Sequence, residues 1–289
     1  MSATARIVEV GPRDGLQSYE HHVPTGRKVA MIERLVAAGL TDIEATSFAH
    51  PRMVPELADG ADVLAALPRT GGVRYRALAP NHRGAVRAIE AGADLVVAFI
   101  SASRTYSERN QNMTIEGALG QLEAIAEVAR DAGIGWAAGI SMAFGSPYED
   151  AIEPDVVVGQ ARRCAELGAA SVYVADTIGV ASPEAVRAMC SRVLPVVPEL
   201  AVHLHGDGGP RGLACAVAAV EAGAAQVETS ICGLGGPVVR SPGTPLIGNL
   251  PTEAVVAHLA GHGISTGLDP AAVFEAAADV ADLLGLPHT

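Results

Sequence analysis

Two histidines placed two residues apart stand out as side chains that could do chemistry. His203 and His205 lie in a run over 200–205 whose other members are apolar. Successive side chains of an extended strand point to opposite faces, so both imidazoles share one face, opposite Val202 and Leu204. Two imidazoles with this spacing suit a divalent metal ion when oxygen ligands join them. A pair of hydrogen-bonded core histidines is the alternative, and the spacing alone leaves both interpretations open.

Oxygen ligands for such a metal are available where other predicted strands end. Asp14 follows the first strand-like run and offers a carboxylate, whereas Asn249 follows the last one and offers a neutral amide oxygen. Together with the histidines they form a mixed nitrogen and oxygen donor set that leaves positions for a substrate. This set fits Mg²⁺ or Mn²⁺, and Co²⁺ or Zn²⁺ are the alternatives.

Further polar residues fall at the same ends of the predicted strands. Arg13 precedes Asp14, Glu44 and Ser47 belong to the second strand region, and Asp176 ends the sixth. Each has a structural alternative. Arg13 could pair with its neighbour in a turn, Glu44 could hold a barrel arginine, and Asp176 could cap the following helix. Their shared position at the strand ends favours a functional site.

Bringing these residues together requires a repeating strand–helix architecture. Eight β-branched runs alternate with alanine-rich stretches of helical period, at intervals of roughly 20–40 residues. The runs cover residues 6–10, 42–46, 73–78, 94–100, 135–141, 171–175, 200–205 and 226–231. Eight such units without a flexible linker predict a closed (β/α)8 TIM barrel, whose active site forms at the carboxyl ends of the strands.

Glycines mark the predicted joints between helices and strands. The joints are Gly39, Gly92, Gly133, Gly168 and Gly223, where glycine can adopt the left-handed conformation that ends a helix. A doubly wound open sheet is the alternative, but Gly-Pro-Arg-Asp-Gly follows the first strand instead of GxGxxG. We expect one domain over residues 1–289, with the barrel at about 6–250 and C-terminal helices at about 251–289.

The charge and composition of the chain argue against several classes of protein. The net charge of −12 argues against a nucleic-acid binder and against docking on an anionic membrane. No apolar run reaches the roughly 20 residues of a spanning helix. The polar start over 1–5 lacks the features of a signal peptide, and the four cysteines show no CxxC spacing, so we expect a cytoplasmic protein with reduced thiols. Lys28 is the only lysine, at the start of the first predicted helix, which argues against a Schiff-base aldolase.

The most specific motif runs from Val8 to Gln17 and reads Val-Glu-Val-Gly-Pro-Arg-Asp-Gly-Leu-Gln. It resembles the opening signature of the hydroxymethylglutaryl-CoA lyases, a family among the pyruvate carboxyltransferase-like enzymes or DRE-TIM metallolyases. Further matches are Ile43-Glu-Ala-Thr-Ser-Phe48, Asn110-Gln-Asn112, Ser146-Pro-Tyr148, Asp176-Thr-Ile-Gly179, His203-Leu-His205, Gly233-Leu-Gly-Gly236 and Gly248-Asn-Leu250. The resemblance extends over nearly the whole chain.

This resemblance implies a barrel fold, a divalent metal and cleavage of the carbon–carbon bond β to a thioester carbonyl. The substrate would be a thioester of the 3-hydroxy-3-methylglutaryl-CoA type. Retro-Claisen cleavage would convert it to acetyl-CoA and a keto acid. The resemblance also suggests a homodimer.

The resemblance also implies a role for each candidate residue. The metal ligands would be Asp14, His203, His205 and Asn249. Arg13 would polarise the thioester carbonyl and stabilise the enolate that forms on cleavage. Glu44 and Asp176 would steer Arg13 and the metal ligands. Gln17 and Ser47 would line the substrate pocket.

Three segments depart from the family pattern. Pro237 stands where the family has a cysteine after Gly-Leu-Gly-Gly, and the loop over 238–247 is longer than the family's. The turn over 206–212 is longer too, and Cys215 replaces a family asparagine. If this glycine-rich turn cradles a phosphate, Arg211 is expected to contact the CoA part of the substrate.

These departures keep other functions open. One alternative is a metal-dependent aldolase or lyase, or a Claisen-type condensing enzyme, that acts on a different acyl-CoA or on a keto acid. With Pro237 at the cysteine position, His203 is the nearest candidate acid, and Cys232 is the nearest alternative thiol unless it is a small buried apolar residue. A catalytically silent barrel that binds a partner is less compatible with the retained arginine and metal-ligand residues.

Overall fold

Eight parallel strands close into a barrel in which each strand pairs with the next along the chain and β8 pairs with β1. The fold is that of a computed structural model, which describes residues 3–69, 71–148, 151–206, 208–236 and 247–287. The strands are β1 Arg6–Glu9, β2 Asp42–Ser47, β3 Arg74–Leu78, β4 Leu95–Ser101, β5 Gly135–Ser141, β6 Ser171–Asp176, β7 Leu200–Leu204 and β8 Gln226–Thr229. Each overlaps one predicted run, so the predicted TIM barrel is confirmed and the open sheet is excluded.

Helices follow the strands and cover the outside of the barrel. They are α1 Thr25–Ala37, α2 Gly60–Ala66, α3 His82–Glu90, α4 Arg104–Gln111, α5 Ile115–Asp131, α6 Pro154–Glu166, α7 Pro183–Val193, α8 Pro210–Glu221, α9 Thr252–Gly261 and α10 Pro270–Leu284. The last two are the predicted C-terminal helices. All five predicted joint glycines have positive φ angles, between 70° at Gly133 and 98° at Gly223. A residue with a Cβ would be strained in this conformation, which explains the glycine at each joint.

The hydrophobic core has two layers, because strand residues alternate between the helices and the barrel interior. The larger layer lies between strands and helices and includes Val202 and Leu204. The smaller one fills the barrel interior and comprises Leu78, Leu95, Val97, Ala137, Tyr173, Ala175 and Ala201. Buried Arg76 pairs with Asp42 and Gln226 inside the barrel. The packed interior therefore forms a rigid support for the polar side chains on the strands.

None of the helices within the described residues combines the length and apolar character that crossing a bilayer requires. Lys28 lies on α1, where its buried side chain contacts Asp59 and the backbone carbonyl of Glu56. It is therefore held in the helical layer, away from the barrel interior. The geometry agrees with the expectation that no Schiff base forms here.

Candidate active site

Three side chains of types that can bind a metal converge at the carboxyl ends of the strands. Asp14 comes from the short helical turn Gly11–Gly15 after β1, His203 lies on β7, and His205 directly follows that strand. One ligand atom from each lies within 4.8 Å of the other two, and all three residues are buried. The spacing argument that put both histidines on one face is confirmed.

Each imidazole is anchored through its Nδ1 atom. The Nδ1 of His203 lies 3.0 Å from Oε2 of Glu228 on β8, and the Nδ1 of His205 lies 3.2 Å from the carbonyl oxygen of Ile247. Both Nε2 atoms turn toward the same point and are 2.9 Å apart. This arrangement, in which Nδ1–H is held by an oxygen and Nε2 is presented to a ligand, is typical of metal-binding histidines.

The pKa values of the two histidines are shifted in opposite directions. Burial and the neighbouring His203 lower the pKa of His205 to about 4. Its imidazole is therefore neutral near pH 7, which is the form that binds metals. Burial also disfavours a charge on His203, but the hydrogen bond with Glu228 and the charge of Asp14 outweigh it and raise its pKa.

Asn249 completes the donor set. Its Nδ2 donates to Oδ2 of Asp14 at 2.7 Å and to the carbonyl of Leu234 at 3.0 Å, whereas its buried Oδ1 has no hydrogen-bond partner among the described residues. Buried polar atoms are nearly always paired, so an unpaired buried oxygen on a residue that contacts Asp14 marks a place for a ligand. The donors present fit a divalent metal with mixed nitrogen and oxygen ligation.

Arg13 is held rigidly next to this donor set. Its Nε and Nη2 donate to the two carboxylate oxygens of Glu44 at 2.8 and 3.2 Å, and its Nη1 contacts Asp14. Burial alone would raise the pKa of Asp14, but the Arg13 guanidinium and the two histidines hold it at about 2. Glu44 thus contacts Arg13, which fits both the predicted steering role and the alternative that Glu44 simply holds a barrel arginine; the steering role stays a prediction.

The turn Gly11–Gly15 is shaped by close approaches that exclude side chains. A Cβ on Gly11 would lie 2.7 Å from Oε1 of Glu9, and one on Gly15 would lie 2.8 Å from Cβ of Leu234. Real Cβ atoms do not tolerate such distances, so the two glycines allow the turn to pack against the chain after β8. This packing sets the positions of Arg13 and Asp14.

A cavity of about 440 Å³ opens above the donor set. Its lining includes Arg13, Asp14, Gln17, Ser47, His50, Asn81, Tyr106, Arg109, Asn112, Ser141, Tyr173, Thr177, His203 and His205. Gln17 also donates to Oδ1 of Asp14 at 2.7 Å. Gln17 and Ser47 thus line the cavity as expected, and their contact with a substrate stays a prediction.

Two predicted site residues are placed elsewhere. Asp176 accepts hydrogen bonds from the backbone N–H groups of Val180 and Ala181 at 2.9 and 2.8 Å. Arg211 donates to the carbonyls of Ala181 and Gly179 at 2.9 and 2.6 Å. Both side chains therefore stabilise the loop after β6, and neither belongs to the described cavity lining. Among the described residues no hydrogen bond joins the Asp176 carboxylate to a candidate metal ligand, and contact of Arg211 with CoA stays a prediction.

Asp176 nevertheless influences the donor set through its backbone. Its carbonyl oxygen accepts from the N–H of His205 at 3.2 Å. The residue therefore helps to position that histidine without its carboxylate, and burial raises the pKa of the carboxyl group. The side chain does not cap the following helix, because Ser182 is the N-cap of α7 and accepts from the N–H of Ala185. The steering role of Asp176 stays a prediction.

Sequence reasoning missed Glu228 and Tyr173. Glu228 lies in β8 on the same side as Gln226, and an acidic residue at an interior position of a short strand was the signal that could have found it. Tyr173 lines the cavity from β6. The sequence showed only one aromatic residue in an apolar run there, which is usually a core residue.

The alternative thiol does not face the cavity. Sγ of Cys232 donates to the carbonyl of Ala277 on α10 at 3.2 Å, and burial raises the pKa of the thiol to about 12. Cys232 is therefore a half-buried thiol that is mostly protonated near pH 7 and is engaged with α10. Pro237 lies outside the described residues, as does most of the loop that follows it.

The buried carboxylate of Glu9 connects the turn Gly11–Gly15 to the segments that follow β8. Glu9, on β1, accepts from the N–H groups of Gly11 and Ile231 at 2.7 and 2.9 Å and from Oγ1 of Thr252 at 2.6 Å. Burial raises the pKa of Glu9 to about 7, although each of these hydrogen bonds acts in the opposite direction. Glu9 thus joins three segments around the site while carrying a proton in mildly acidic solution.

This raised pKa predicts a pH-dependent stability. Between pH 4.5 and about 7 the unfolded chain releases the Glu9 proton while the folded protein retains it, so the free energy of unfolding falls as pH rises. Glu9→Gln mimics the protonated carboxyl and removes this contribution. Relative to the variant, the free energy of unfolding of the natural protein should fall by about 3 kcal/mol between pH 4.5 and pH 8.

Urea unfolding of the metal-free proteins at several pH values measures this difference. Glu123→Gln, at an exposed position that pairs with Arg163, is the matched control and should follow the natural protein. The opposite result is that the free energies of unfolding of the natural protein and Glu9→Gln differ by the same amount at both ends of the pH range. That result would show that Glu9 is already ionised in the folded state below pH 7.

Comparisons with known proteins agree with this geometry. The family model described as HMGL-like matches residues 4–280. The mitochondrial hydroxymethylglutaryl-CoA lyase of Bos taurus is 40% identical, over 96% of this chain and 85% of that protein. The crystal structure of hydroxymethylglutaryl-CoA lyase from Pseudomonas aeruginosa superposes with a TM-score of 0.91 and 36% identity, covering 99% of this chain and 95% of that chain.

A further solved structure carries ligands. It is an HMG-CoA lyase from Acinetobacter baumannii in complex with coenzyme A and 3-methylmalate, with a TM-score of 0.90 and 33% identity, covering 98% of this chain and 92% of that chain. The family model spans most of the chain, and the relatives match it along nearly all of its length. With its barrel, its buried donor set and these matches, the chain belongs to the HMGL-like family.

Proposed function

We propose that the protein is a divalent-metal-dependent carbon–carbon lyase that cleaves a thioester of the 3-hydroxy-3-methylglutaryl-CoA type. The observation that carries the proposal is the unpaired Oδ1 of Asn249 beside the converging Asp14, His203 and His205, with Arg13 at the same cavity. The coenzyme A bound to the relative from Acinetobacter baumannii supports an acyl-CoA substrate. A homodimer and a cytoplasmic location stay predictions.

In the proposed reaction the 3-hydroxyl group loses its proton and becomes a ketone. The C2–C3 bond breaks, and its electron pair passes to the enolate of the acetyl thioester. Protonation of C2 then gives acetyl-CoA, and the remainder leaves as a keto acid. The reaction needs a base for the hydroxyl proton, a donor for the carbon, and positive charge for the enolate oxygen.

The four donors named above would hold the metal, with Mg²⁺ or Mn²⁺ as our first expectation and Co²⁺ or Zn²⁺ as alternatives. A bound divalent metal supplies Lewis acidity that makes the 3-hydroxyl group easier to deprotonate. Glu228 fixes the imidazole of His203, and the carbonyl of Ile247 fixes that of His205. The chain itself therefore presents both nitrogens without further rearrangement.

Arg13 is the group placed to stabilise the enolate. Its guanidinium remains charged, because the carboxylates of Asp14 and Glu44 raise its pKa and outweigh the effect of burial. The bidentate pairing with Glu44 aims the guanidinium into the cavity. A fixed cation at a developing oxyanion lowers the barrier without reorganisation during the reaction.

His203 is our candidate for moving the proton at the reacting carbon. It lines the cavity, and Glu228 supports a positive charge on its ring through the 3.0 Å contact with Nδ1. No cysteine lines the cavity in the part of the chain that the structure describes. A histidine paired with a carboxylate can act as a general acid when its Nε2 carries a proton within hydrogen-bond reach of its target. Since a metal-bound Nε2 carries no proton, His203 would serve as the acid only while this nitrogen is not bound to the metal.

Pro237 favours a second candidate function, a metal-dependent lyase, aldolase or Claisen-type condensing enzyme that acts on another acyl-CoA or on a keto acid. Proline can carry no proton, and the loop after it differs from the family's. The two candidates differ only in the acyl group or carbonyl compound that the enzyme accepts. Release of acetyl-CoA from a panel of branched 3-hydroxyacyl-CoA thioesters, with metal added, separates them.

We expect weak cleavage of hydroxymethylglutaryl-CoA by the natural sequence and a modest gain for Pro237→Cys. The gain is limited because the loop over 238–247 has changed as well, and an acid must reach its target. A coupled acetyl-CoA assay measures both. Strong native turnover that neither Cys232→Ala nor Pro237→Cys alters would show that the reaction does not need this thiol and that hydroxymethylglutaryl-CoA is an ordinary substrate.

A further inference from the structure

The floor of the cavity contains an unusual pair of residues on neighbouring strands. Tyr173 on β6 and Gly139 on β5 are direct register partners. A Cβ built on Gly139 would lie 2.1 Å from Cζ and 2.2 Å from the hydroxyl oxygen of Tyr173. The phenol ring therefore reaches sideways across the barrel interior and covers the backbone of Gly139. No residue other than glycine leaves room for it there.

The hydroxyl group of Tyr173 lies among apolar floor residues and next to the reactive groups. Its side chain packs in the small interior cluster that includes Leu78 and Val97, and its ring centroid is 5.9 Å from that of His203. Tyr173 lines the same cavity as Arg13. No hydrogen bond joins its hydroxyl to another of the described residues, and because the side chain lines the cavity, the O–H is open to a ligand there.

The hydroxyl is also held in its donor form. Tyrosine has an ordinary pKa of about 10, so the hydroxyl keeps its proton near pH 7. A phenol that keeps its proton at all ordinary pH values offers one O–H to an acceptor. Phenylalanine would fill the same volume, so the hydroxyl adds a polar function that packing does not require.

We propose that the Tyr173 hydroxyl donates a hydrogen bond to an oxygen atom of the acyl part of the substrate, and that Gly139 is required because it makes room for the ring. The inference rests on the proposed function, since it takes a thioester with oxygens along its acyl chain as the ligand. It adds a substrate-binding residue on β6 at the floor of the site.

Tyr173→Phe tests the hydrogen bond while keeping the ring. We expect kcat/KM for hydroxymethylglutaryl-CoA to fall by about 10-fold, the loss typical of one hydrogen bond to a polar or charged acceptor. Metal content should not change, because Tyr173 is not one of the metal donors. Tyr75→Phe is the matched control, since its hydroxyl donates to the carbonyl of Pro68 on the far side of β3, and it should keep the natural kinetics.

A binding measurement separates this inference from the proposed function. The ligand is 3-hydroxyglutaryl-CoA, which has the oxygen atoms of the proposed substrate but lacks its 3-methyl group, and calorimetry with metal present gives its Kd. If the natural protein cleaves no hydroxymethylglutaryl-CoA, the proposed substrate is wrong, but a roughly 10-fold weaker Kd in Tyr173→Phe still supports the hydrogen bond. Equal kinetics and an equal Kd in the two proteins, or no binding to either, overturns it.

Gly139→Ala tests the steric part. The added methyl group must displace the ring, so this variant should lose at least as much kcat/KM as Tyr173→Phe. On a Tyr173→Ala background, where the ring is gone, Gly139→Ala should cause no further loss, because contacting residues are not additive. Unchanged kinetics in Gly139→Ala, or full additivity with Tyr173→Ala, contradicts the arrangement of the pair.

Discussion

Arg13→Lys is expected to lower kcat by about 100-fold or more while KM changes little. The guanidinium makes two hydrogen bonds to Glu44 with Nε and Nη2 and contacts Asp14 with Nη1. A lysine ammonium has one nitrogen and no planar fork, so it cannot satisfy Glu44 and also point a donor into the cavity. If the arginine stabilises the enolate, the loss falls on the transition state and appears in kcat.

Steady-state kinetics of acetyl-CoA release measure this effect. Arg187→Lys is the matched control, because Arg187 is exposed and pairs with Glu221 far from the cavity. A thermal melt confirms that Arg13→Lys is folded, which matters because Glu44 is fully buried and loses part of its pairing. A change confined to KM would mean that Arg13 only holds the substrate.

His205→Ala is expected to abolish retention of metal and, with it, activity. The substitution removes one of the two Nε2 donors that face each other at 2.9 Å. Loss of a residue that merely orients a ligand typically costs 10-fold to 100-fold in metal affinity. Loss of the ligand itself should weaken binding by more than about 100-fold and lower kcat at least as strongly.

Elemental analysis after dialysis and competition with a chelator measure the metal directly, independently of turnover. His262→Ala is the matched control, since His262 is an exposed residue after α9 whose ring and Nδ1 contact His258. Unchanged metal stoichiometry in His205→Ala would show that the donor set is wrong. Loss of activity with full metal retention would assign His205 to the chemistry instead.

The local pattern of apolar and polar residues was sufficient to predict most of the fold. Each βα unit carries its own periodicities, and a parallel strand needs a crossover helix, so eight repeats in sequence lead to a closed barrel. The alternation along β7 put His203 and His205 on one face, and the barrel topology put Asp14 and Asn249 at the same end. These residues could be predicted because backbone geometry alone determines their direction.

The contacts that the sequence could not predict occur where a side chain can turn in more than one direction. Asp176 and Arg211 lie at a strand end and at a helix start, where the neighbouring loop decides which groups they meet. In the structure that loop exposes N–H groups at Val180 and Ala181 and a carbonyl at Gly179, and the two side chains bind them. A charged side chain is satisfied by the nearest backbone group of opposite polarity, and no spacing rule in the sequence reports where that group lies.

The amino-acid pattern was enough to predict the barrel, the end of the barrel where the candidate site lies, and the types of donor present there. Which side chains pair with one another depends on how the strands pack. Glu228 behind His203, Glu9 across three segments, and Tyr173 over Gly139 are contacts between strands or between a strand and a distant turn. They depend on strand register and on close approach of the backbone, which arise only when all eight strands pack together.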